Sequence, residues 1–100
     1  MLSPATSFDG GSADCCWPAD PNGDIGNDPL TGKKYYMQTT NVNFQVWDVT
    51  NPAFIPEIYS GSNNNLWSGF GGMCESHNDG DPIVLFDHLA HRWIFSQFAI

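Results

Sequence analysis

The chain is 100 residues long with a formal net charge of −8, from 3 lysines and arginines against 11 aspartates and glutamates. One small acidic domain fits that length. Its surface repels phosphate backbones and anionic headgroups, which argues against nucleic acid and membrane as partners and in favour of calcium or a cationic partner. No window reaches the roughly 18 continuous apolar residues of a membrane-spanning helix, and the N-terminus lacks the basic and apolar regions of a signal peptide.

Ten glycines and 7 prolines, with many Asn, Ser and Thr, predict short strands separated by turns and no helix longer than about two turns. The expected class is all-β, with about four short antiparallel strands and long irregular loops. Few lysines, four tryptophans and acidic turns point to an extracellular or cell-surface location. Cys15 and Cys16 are adjacent and Cys74 is distant, so one loop-closing disulfide to Cys74 leaves one thiol over.

Residues 1–17 read as an irregular lead-in, pinned if a cysteine bonds Cys74, and residues 18–100 as a single β-rich domain. Residues 20–28, DPNGDIGND, place oxygen-bearing side chains at loop positions 1, 3, 5 and 9: Asp20, Asn22, Asp24 and Asp28. Alternate residues of a tight loop can point several carboxylates inward, which suits the hard oxygen ligands of calcium. The same residues also make a plain Pro21-Asn22-Gly23 turn that needs no metal.

Residues 33–49 predict a strand pair that turns at Asn41, Val42 and Asn43, with Phe44, Val46 and Trp47 on the second strand. The long connection 51–73 carries Leu66, Trp67 and Phe70, too apolar for solvent, and is expected to fold back over the sheet with one short strand near residues 55–59. Residues 74–81 gather Glu75, His77, Asp79 and Asp81 around a polar turn, or add a carboxylate to a cation site formed with the first acidic loop.

Residues 83–98 predict a hairpin: Ile83 to Phe86 form one apolar strand, Trp93 to Phe98 the other. Trp93, Phe95 and Gln97 alternate with Ile94, Ser96 and Phe98, so one face is aromatic and the other still apolar enough to call for cover. His88 and His91 flank the turn, and Arg92 is expected to pair with Asp87 or stack on a ring.

The segments PADPNGDIG, NVNFQVWD and LWSGFGGMCESHNDGDPIVLFDHLAHRWIFSQFAI resemble the opening region of large secreted bacterial proteins similar to sialidase-like β-propellers. That region carries PPDxNGxVG, then GDPxVxYDxxxxRWxxSxF. The acidic spacing is also similar to the calcium loops of integrin-type propeller repeats. The resemblance implies that the four expected strands approximate one propeller blade. It also implies that the blade's faces are buried by other copies of the chain or by the rest of a larger propeller.

No serine, cysteine or acid stands in a nucleophile arrangement, so no catalytic residue is assigned. The expected function is a non-enzymatic extracellular module for adhesion, scaffolding or self-assembly, stabilised by calcium at residues 20–28. The alternative is a fragment of a carbohydrate-binding or carbohydrate-active propeller, with Trp67 and Phe70 beside acidic turns as a glycan site.

Overall fold

The computed structural model describes residues 7–12, 15 and 17–100. Six strands make it all-β: β1 (Asn22–Asn27), β2 (Lys34–Thr39), β3 (Asn43–Asp48), β4 (Glu57–Ser62), β5 (Ile83–Asp87) and β6 (Arg92–Ser96). Among the described residues helix is confined to a 3-10 turn over Asn63–Trp67 and one short α-helix, α1 (Gly72–Ser76).

Strands β1 to β4 form an antiparallel meander in chain order, and β5 and β6 form a separate two-stranded sheet. The expected four strands are therefore all present but do not share one sheet. The pair within residues 33–49 is the centre of the meander, and the pair within residues 83–98 lies over it. Two further strands complete the meander. One is the segment expected near residues 55–59, which runs as β4 at Glu57–Ser62. The other is β1, where a loop was expected.

Register assigns the faces. Asp24 sits opposite Met37, Met37 opposite Val46, and Phe44 opposite Thr39 and Gly61, so these residues share one face of the meander. The hairpin covers that face with Val84, Phe86, Trp93 and Phe95, since Val84 pairs with Phe95 and Phe86 with Trp93. Met37, Phe44 and Val84 form the buried core, with Val46 and Phe95 packed against it. Phe44 meets Phe95 edge to face at 6.3 Å and stacks on Tyr59 at 5.4 Å.

The opposite face carries Tyr36 and Trp47, stacked at 5.7 Å. The lead-in crosses here: Phe8 contacts both rings, and the Gly11 amide donates to Gln38 Oε1 at 2.8 Å. Burial pushes the Tyr36 hydroxyl pKa up. No disulfide does this pinning through Cys74, which keeps an exposed free thiol. Residues 1–6, 13, 14 and 16 of the expected lead-in, Cys16 among them, lie outside the described residues.

Candidate functional site

Strand β1 is built from residues that rarely make strands, because its side chains serve a second sheet. Asn22, Asp24 and Gly26 point to the face beneath the hairpin. Asn22 Oδ1 accepts the Val84 amide at 2.8 Å, and Asp24 Oδ2 accepts the Phe86 amide at 2.8 Å. Those amides belong to the edge of β5 that has no strand partner, so β1 caps that edge with side-chain oxygens. At Gly26 the hairpin comes so close that a Cβ would lie 2.6 Å from a Phe86 ring carbon and 2.7 Å from Trp93.

The four residues expected to hold calcium are thus placed along and beside a strand. Asp24 Oδ1 also accepts the Ile25 amide, and the Phe86 and Ile25 amides together hold its carboxyl below the ordinary 3.8. Asp28 closes the following turn, accepting the Leu30 amide at 2.9 Å and the Thr31 hydroxyl at 2.9 Å, and its pKa is lowered by these bonds. Asp20 adopts a positive φ of 47° just before the strand. Among the described residues no three His, Cys, Asp or Glu side chains converge as a metal set.

Glu75, Asp87, His88 and His91, also singled out in the sequence, have structural partners. Glu75 Oε2 accepts the Gly69 and Gly71 amides, bracing the turn before α1. Asp87 accepts the Leu89 and Ala90 amides, which lowers its pKa, and these turn bonds replace the expected pairing with Arg92. Arg92 lies opposite Asp87 in register, and no ion pair joins them. His88 and His91 both face the ring of Phe86, at 4.9 and 6.3 Å.

Two apolar surfaces remain open. The first is a groove of about 600 Å³ between meander and hairpin, walled by Met37, Phe44, Val46, Trp93 and Phe95, with Ile58 and Trp67 at its side. Trp67 therefore does fold back over the sheet, meeting Phe95 at 5.7 Å, whereas Phe70 stays 79% exposed. The second is the outer face of the hairpin. Ile83, Leu85 and Ile94 are each at least 50% exposed, and Leu85 pairs directly with Ile94. Its signal in the sequence is apolar character on both sides of one hairpin. No family model, curated protein or solved structure matches the chain.

Proposed function

We propose that the chain is a non-enzymatic β-sheet assembly module, of the scaffolding or adhesion kind, that works at or outside the cell surface. Its meander and hairpin are two successive layers of a stack, continued by sheets from other copies or from the rest of a larger propeller-like protein. The observation that carries this reading is the outer face of the hairpin: Ile83, Leu85 and Ile94 form an exposed apolar stripe on a sheet whose inner face already packs on the meander. A sheet that is apolar on both faces is an inner layer. Among the described residues strands β4 and β6 add edges with no strand partner, at which further strands can pair, while the β5 edge is closed by Asn22 and Asp24.

The test is the solution mass of the chain by light scattering over a concentration series. Association is expected to increase with concentration and to be lost in Leu85→Lys and Ile94→Lys, which place a charge on the outer face without touching the core. A monomer at every concentration, unaltered by either substitution, overturns self-association. A sugar site has weaker support, because the groove beside Trp67 is walled by apolar side chains. Saturable glycan binding to the chain would replace the scaffold reading.

A further inference from the structure

Five aromatic side chains meet in the groove between meander and hairpin: Tyr35, Phe44, Trp67, Trp93 and Phe95. Their planes are turned against one another. Phe95 lies at 62° to Phe44 and at 61° to Trp67, so the rings wrap a concavity instead of forming one flat wall. Trp67 stands on the 3-10 turn, which Asn64 ties to α1 by donating from Nδ2 to the Glu75 carbonyl at 2.8 Å. This brace belongs to the fold itself. A volume of about 600 Å³ is that of a small-molecule site.

Charge decides which small molecule suits it. Among the described residues no Lys, Arg or His lines the groove. An acid stands at its end: Phe44, Val46 and Asp48 follow one another on the same face of β3, and Asp48 lies opposite Tyr35 in register. The Thr50 hydroxyl and amide, with Lys33 nearby, lower the Asp48 pKa, so its carboxylate is ionised at neutral pH. An anion would meet that carboxylate and a net charge of −8. A sugar would leave hydroxyls unpaired against apolar walls. An organic cation is attracted by ring faces and carboxylate together.

We propose that the groove binds a small organic cation with an apolar body, of the alkylammonium or quaternary ammonium class. The body lies against Met37, Val46 and Phe95, and the charged head lies among the rings at the end marked by Tyr35 and Asp48. Leu85 and Ile94, on the outer face of the hairpin, take no part, so binding here does not depend on assembly.

Octyltrimethylammonium titrated calorimetrically into the full chain at constant ionic strength, below its micellar range, tests it against octanol and octyl sulfate, which share the tail. Saturable binding of the cation is expected, tighter than octanol by about tenfold, with octyl sulfate the weakest of the three. Trp67→Ala should weaken the cation by about tenfold, Asp48→Asn should weaken the cation and leave octanol unchanged, and Leu85→Lys should alter neither. Octanol bound as tightly as the cation overturns the charge assignment. Absence of saturable binding overturns the site, as does binding that survives Trp67→Ala and Asp48→Asn or is lost in Leu85→Lys. If Trp67→Ala fails to fold, Trp67→Phe, with a smaller loss expected, and Asp48→Asn decide.

Discussion

Asp24 shows how much one side chain does here. Its two oxygens accept amides from its own strand and from β5, so ionisation at residue 24 is tied to the docking of a segment 62 residues further along the chain. Asp28, Asp48 and Asp87 likewise accept backbone amides, and all four pKa values lie below the ordinary 3.8. The unfolded chain therefore binds more protons than the folded one in the acid range, so these groups stabilise the fold above the unfolded value. That stabilisation is lost as pH falls through the lowered folded values. Acid unfolding followed by tryptophan fluorescence should begin below about pH 4, and Asp24→Asn should flatten the slope of stability against pH. An unchanged slope in that variant would mean that the carboxylate of residue 24 is not coupled to folding.

At the scale of elements, docking of the hairpin depends on Gly26 as well as on hydrogen bonds. Phe86 and Trp93 lie where its Cβ would be, so Gly26→Ala should lower unfolding stability by about 1 to 3 kcal/mol, the usual cost of overpacking. Chemical denaturation measures it, and a neutral substitution would show that the hairpin sits further off. Strands β2, β3, β5 and β6 were legible in the sequence, β2 and β3 from alternation and β5 and β6 from short apolar runs on either side of a polar turn. Strand β1 was not legible. Its Asn, Gly and Asp residues have the composition of a turn, and their strand role depends on acceptors for β5 that no local window contains. The same non-locality hid the side-chain amides of Asn63 and Asn78, which reach the Asn41 and Val42 carbonyls only once the loops close. Arg92 failed for the opposite reason: the adjacent turn amides reach Asp87 first.

For the whole molecule, an apolar outer face and a net charge of −8 act against each other. On the self-association proposed above, copies would repel at long range and adhere at contact, so association of the chain should strengthen as salt rises from about 0.05 to 0.5 M, over which the screening length falls below 10 Å. Light scattering across that range checks it, and association that weakens with salt would instead place ion pairs at the contact. The paired acceptors on β1 have a mechanical meaning too. Two oxygens set two residues apart meet two amides set two residues apart, so the hairpin seats on the meander like a key with two teeth. A slip of two residues, a travel of roughly 7 Å, leaves only one tooth engaged. Alignment of the layers is therefore indexed in discrete steps, and a pull along the strands loads both teeth together.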